Sequence, residues 1–162
     1  MTDLLEALHS GRDDRVAELL SRDPELNVFE AAALGRDDRL RELLAGDPSL
    51  ANAYGDDGFQ PLPLACFYGH VEATRVLLDH AADPNTLARN EHIRTNALHA
   101  ASASENKDEQ TRYELCELLL ERGADPSIPQ GGSEFRAIDA ARTNGDERLE
   151  RLLLEKSQLL GS

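Results

Sequence analysis

Apolar residues recur along this chain at three- and four-residue steps, in short runs that a glycine interrupts, and such a pattern predicts pairs of short amphipathic helices. The runs align on one another. Leu4 precedes LEALHSG, Val28 precedes FEAAALG, Leu62 precedes PLACFYG, Leu98 precedes HAASASE and Ile138 precedes DAARTNG. Gly11, Gly35, Gly69 and Gly145 close four of these segments, and Leu19, Leu43, Leu77 and Leu153 each follow eight residues later with another leucine beside them. Each unit therefore reads as a helical hairpin in which the glycine ends the first helix by turning left-handed. Inner positions of the first helices are small: Ala7, Ala31 with Ala32, Ala65 with Cys66, Ala101 with Ser102, and Ala140 with Ala141. Small residues there let neighbouring hairpins stack closely. Asp-Pro pairs at Asp23, Asp47, Asp83 and Asp125 stop the second helices, because proline cannot continue a helix and aspartate favours a turn.

The unit resembles the ankyrin repeat on the strength of GHVEATRVLLDHAADPN (69–85), ALHAAS (97–102) and ELCELLLERGADPS (114–127). The resemblance covers essentially the whole chain and implies an all-α solenoid of helix-turn-helix units with hairpin-like fingers. As one domain, 1–162, it divides into an N-terminal cap 1–27, repeats 28–52, 53–85 and 86–127, and a C-terminal cap 128–162. The anchors Leu4, Val28, Leu62, Leu98 and Ile138 stand 24, 34, 36 and 40 residues apart, against a family period of about 33. The first step is too short for a finger. The third carries a longer finger, about 87–95, and the fourth is read as a polar loop, SENKDEQTR, inserted between two helices. Gln60 and Pro63 replace the family's threonine and histidine, and Ala81 replaces its helix-ending glycine, at an expected cost of about 1 kcal/mol. The last segment, LERLLLEKSQLLGS, is expected to cover the end of the stack with Leu149, Leu152 and Leu153 inward, while Leu159 and Leu160 are alternatives for self-association.

Composition narrows the function. A formal net charge of −14 and 4% aromatic content, with no tryptophan, describe a leucine and alanine core under an acidic surface. Such a charge opposes nucleic acid and anionic membranes and favours a basic partner, besides keeping the chain soluble. No apolar run approaches a membrane span of about 20 residues. The first residues lack the basic start and apolar run of a secretory signal, and Cys66 and Cys116 occupy inner positions that read as buried reduced thiols, so the expected location is cytoplasmic.

Catalytic chemistry finds little support. His70 and His99 stand where the resemblance places a hydrogen-bonding histidine, and Gly69 should break any helix joining Cys66 to His70 in a dyad. The sequence PQGGS (129–133) lacks the lysine of a phosphate loop and reads as the last finger. The pairs Asp13-Asp14 and Asp37-Asp38 are expected to cap second helices and oppose their dipoles rather than hold a cation. No catalytic, cofactor or metal residues are assigned. The resemblance implies partner binding on a concave face lined by finger tips, here Asp56, Asp57, Phe59, His92, Ile93 and Thr95. It adds exposed first-helix positions, here Ala33, Leu34, Phe67, Tyr68, Ala103, Ser104, Thr143 and Asn144. Phe59, Phe67 and Tyr68 weigh most, because three of the chain's 4 phenylalanines and 3 tyrosines gather at partner-facing positions of one repeat. Packing against the neighbouring finger is the competing role for Phe59 and Phe67. The expected function is a monomeric, non-catalytic module that binds another protein, one with a basic surface. Alternatives are an inhibitor or immunity-type protein masking a basic partner, or a metal-dependent hydrolase using the acidic pairs and histidines.

Overall fold

The structure, a computed structural model, describes residues 1–104 and 107–161. Ten α-helices form among them: α1 Asp3–His9, α2 Asp13–Leu20, α3 Val28–Ala33, α4 Asp37–Gly46, α5 Pro61–Phe67, α6 Val71–Asp79, α7 Ala97–Ser102, α8 Glu109–Glu121, α9 Ala137–Thr143 and α10 Glu147–Leu160, with a 3-10 turn at Pro48–Asn52. No strand occurs among the described residues. Each odd-numbered helix packs on the helix that follows it, and odd helices also pack on odd ones from α1 through α9. From α4 onward, even helices pack on even ones. The result is an all-α solenoid of two helical layers.

The chemistry of the sequence accounts for this arrangement. Ala7, Ala31, Ala32, Ala65, Cys66, Ala101 and Ala141 are buried where the odd helices meet, and Leu40, Leu44, Leu77, Leu115, Leu119, Leu149 and Leu153 fill the space between layers. Full burial of one leucine contributes about 1.5–3 kcal/mol. Helix α2 differs: none of its residues is fully buried, and Val16, Leu19 and Leu20 stay half-covered. Gly11, Gly35, Gly69 and Gly145 all take positive φ after the odd helices. Two asparagines tie successive turns together. Asn52 donates to the Ala81 carbonyl (2.9 Å) and accepts from the Asp83 amide (2.8 Å), and Asn85 repeats both bonds with Gly123 (2.9 Å) and Asp125 (2.7 Å).

Helix starts depart from expectation in two places. Arg12 and Arg36, not the aspartate pairs, occupy the caps of α2 and α4, and neither start has a side-chain capping bond. Asp13, Asp14, Asp37 and Asp38 sit in the first turns, where their charge opposes the helix dipole without binding an amide. In α5 the proline at the start needs no amide partner, and Gln60 turns its side chain to the Asn52 carbonyl instead (3.0 Å).

The polar segment 104–112 is not all loop. Glu105 and Asn106 lie outside the described residues, but Asp108 caps α8, accepting from the Thr111 amide (2.8 Å), and residues 109–112 are helical. Arg112 is buried there against Asp146 (3.3 Å) and donates to the Ser104 and Lys107 carbonyls. A guanidinium satisfied in this way lets a polar turn enter the core. The aliphatic stem of Lys107 covers Gly69, much as the His70 ring covers Gly35 one hairpin earlier.

Candidate functional site

The residues singled out as partner-facing fall on the finger turns and at the C-terminal ends of α3, α5, α7 and α9. The finger before α5 is a tight turn, closed by Gly55 N–H donating to the Phe59 carbonyl (2.8 Å) and Gly58 N–H to that of Gly55 (2.9 Å). The next finger lies directly against it: Arg89 N–H donates to the Gly58 carbonyl (2.8 Å), and Asn90 Nδ2 to that of Asp57 (2.8 Å). Gly58 is required there, because at φ +82° a Cβ would stand 2.5 Å from the Asn90 nitrogen. Asn90 also accepts from the amides of His92 and Ile93 through Oδ1 (2.9 Å each), fixing the tip that presents them. A third finger joins through Gly131 N–H to the Arg94 carbonyl (2.8 Å). Tyr54 lies under the Arg89 guanidinium, 3.8 Å from ring centre.

On this face Asp56, His92 and Ile93 are exposed, Ile93 to 48%. Phe67, at the end of α5, is 46% exposed and meets the Tyr68 ring edge-on at 5.1 Å. Phe59 is half-buried against the core, so packing is its main role. Thr95 is half-buried and its carbonyl accepts from Ala88 within the finger (2.8 Å).

Six further positions read as partner-facing are buried or half-buried, Leu34 and Tyr68 among them. Asp57 is inward, with its side chain 7% exposed, because Oδ1 accepts from the Phe59 amide (3.1 Å) and folds the carboxylate under the turn. Ala33 is buried, its carbonyl bound by His70 Nε2 (3.0 Å). Ser104 is buried and donates to the Phe67 carbonyl (2.8 Å), and half-buried Asn144 donates to that of Ser102 (3.2 Å). These last two join one hairpin to the preceding one instead of facing a partner.

The histidines divide by role. His99 accepts from the Asn96 amide through Nδ1 (3.2 Å) and reaches the Ile128 carbonyl through Nε2 (2.9 Å), bridging successive hairpins as His70 does. Burial lowers the pKa of both below the usual 6.5. His9, which sequence reasoning passed over, reaches across 59 residues to hydrogen-bond Tyr68 (Nδ1 to Oη, 2.5 Å) and lies 3.9 Å from Asp57 Oδ2. Burial lowers its pKa too, against the opposing pull of Asp57, and pushes the Tyr68 hydroxyl up to about 12. Phe135, in the last finger and 41% exposed, was also passed over, although an aromatic among turn residues was a visible signal.

Nucleophile and metal chemistry gain nothing from this geometry. The Cys66 thiol, buried and pushed up to about 12, sits against Thr74 Oγ1 (3.6 Å) while His70 serves Ala33. Among the described residues no three His, Cys, Asp or Glu side chains are grouped to hold a metal ion, and no helix is long and apolar enough to cross a membrane. A family model described as ankyrin repeats, in three copies, matches residues 4–130. No curated protein matches the chain.

Proposed function

The chain belongs to the ankyrin-repeat family, whose repeats generally mediate protein–protein interaction, and from that premise we propose that it is a monomeric, cytoplasmic, non-catalytic module that grips another protein on its finger-side face. The observation that carries this reading is the exposure of Phe67, at the end of α5, and of Ile93, on a finger tip that the Asn90 side chain fixes through the amides of His92 and Ile93. Large apolar side chains held rigid and left in water bind well once a partner buries them. Asp56 and His92 form the polar rim, with Tyr68 beside Phe67. The chain's charge of −14 favours a partner with a basic surface, which includes an inhibitor acting by masking.

Affinity capture from the native host, with and without Phe67→Ala and Ile93→Ala together, tests the surface. Neither side chain is buried, so circular dichroism should be unchanged. Loss of two such anchors should weaken the captured complex by about tenfold or more. Equal recovery of the same partner by both proteins would remove the site from this face.

A further inference from the structure

We propose that the notch between the Tyr68 ring and the Asp57 carboxylate is a recognition site for an arginine side chain of the partner, filled in the free protein by the chain's own His9. This deepens, and rests on, the reading of the finger-side face as a protein-binding surface.

Asp57 Oδ2 is the one buried side-chain nitrogen or oxygen among the described residues that lacks a hydrogen-bond partner. The other carboxylate oxygen is committed to the Phe59 amide. His9 Nε2, at 3.9 Å, is beyond hydrogen-bonding distance. A buried acceptor left without a donor is unfavourable, more so when charged, and a site that supplies the missing donor recovers that cost.

The geometry of His9 shows what shape fits. Its ring lies nearly parallel to Tyr68, 14° between planes at 5.9 Å, and meets that side chain at its hydroxyl edge through Nδ1, with the Nε2 edge toward the carboxylate. Burial holds the imidazole toward its neutral form, so it brings the right plane and edge without a full countercharge. A guanidinium has the same flat outline, keeps its charge and carries several N–H donors along its edge, enough to serve the Tyr68 hydroxyl and the Asp57 carboxylate together. An ammonium has the charge but not the plane. The His9 side chain is 28% exposed and is held by the Tyr68 hydroxyl, so its departure costs that one hydrogen bond, which an arginine N–H to the same oxygen replaces.

The test uses the whole chain and N-acetyl-L-argininamide as probe, followed by amide NMR shifts, with the lysine and norleucine analogues as controls. Argininamide should produce saturable shifts at Gly58, Phe59 and Tyr68 that neither control reproduces. His9→Ala should tighten its binding about tenfold if the imidazole fills the notch nine-tenths of the time. Asp57→Asn, which keeps the oxygen that accepts from Phe59, should weaken it about tenfold or more. Tyr68→Phe in the His9→Ala background removes the hydroxyl acceptor and should weaken binding as well, which covers the case in which Asp57→Asn does not fold. Non-saturating shifts, equal response to all three probes, or undiminished binding by both variants would overturn the arginine site. If that happens while Phe67→Ala with Ile93→Ala still abolishes capture, the surface stands and the arginine goes. Undiminished capture by that pair removes the surface itself, whatever argininamide does.

Discussion

Replacing Ala81 with glycine should stabilise the protein, and replacing Gly123 with alanine should destabilise it by a similar amount. The two residues occupy equivalent places, two residues past the ends of α6 and α8, with φ of 62° and 93°. Each carbonyl accepts from an asparagine of the preceding turn, Asn52 and Asn85 at 2.9 Å, so the left-handed backbone is held in both. An L side chain in that conformation costs about 1–2 kcal/mol. Glycine in the unfolded chain gives back about 0.4–1 kcal/mol through its extra freedom. Packing does not alter the comparison, because Ala81 is exposed and a Cβ on Gly123 would meet nothing within 4 Å. The difference leaves about 0.5–1 kcal/mol for each change, or about 1–4 °C in Tm at this chain length. Urea denaturation followed by far-ultraviolet circular dichroism measures it, provided the slope with denaturant is unchanged. Movement of both variants in the same direction would refute the assignment of strain to Ala81.

Removing Arg112 should be far more damaging than removing a surface arginine. Arg112→Met strands the Asp146 carboxylate, 1% exposed, and should cost about 3–5 kcal/mol in urea denaturation, whereas Arg22→Met, in an exposed pair with Glu18, should leave the unfolding midpoint nearly unchanged. Stability should also fall as pH drops below about 6.5. Burial lowers the folded-state pKa of His9, His70 and His99, so the unfolded chain takes up protons first, and stability present above 6.5 is lost as pH passes down through the folded values. Melting temperatures between about pH 7.5 and 5, above the range where most carboxylates titrate, should show this loss, and His99→Gln should reduce it; a flat profile would contradict the account. Cys66 and Cys116, both free, buried and raised in pKa by that burial, should react with an aromatic disulfide reagent only after urea unfolds the array, and rapid labelling of the native protein would show that the core opens.

The hairpins were legible because their information is local and repeated. Paired small residues, a glycine seven residues after four of the five anchors and a leucine eight further on constrain neighbours within one turn or two, and packing between hairpins then follows from which faces are small. Ala81 was legible for the same reason, since its place in the repeat dictated a left-handed backbone whatever the residue. Misreadings arose where polarity stood in for exposure. The segment 104–112 is polar, yet Arg112 is buried because Asp146, 34 residues further on, receives it together with two carbonyls of its own segment. Asp13 and Asp37 suit a capping site in type, but the caps fell one residue earlier.

The finger-side face was legible only as positions, not as surroundings. Repeat register placed Phe67 and Ile93 correctly in the open, yet the same register offered Ser104 and Asn144 as surface when their hydrogen bonds to neighbouring hairpins were invisible. His9 marks the limit most clearly. Nothing near it in sequence distinguishes it from a solvent-facing histidine at a helix end, and its two neighbours on the finger side, Asp57 and Tyr68, stand 48 and 59 residues away. They meet because the step from α1 to α3 is too short to carry a finger, which leaves nothing between the N-terminal hairpin and the turn at Asp57. The shortened step and the covered carboxylate are therefore linked: a full finger in that place would separate His9 from Asp57, and the notch beside Tyr68 would stand open.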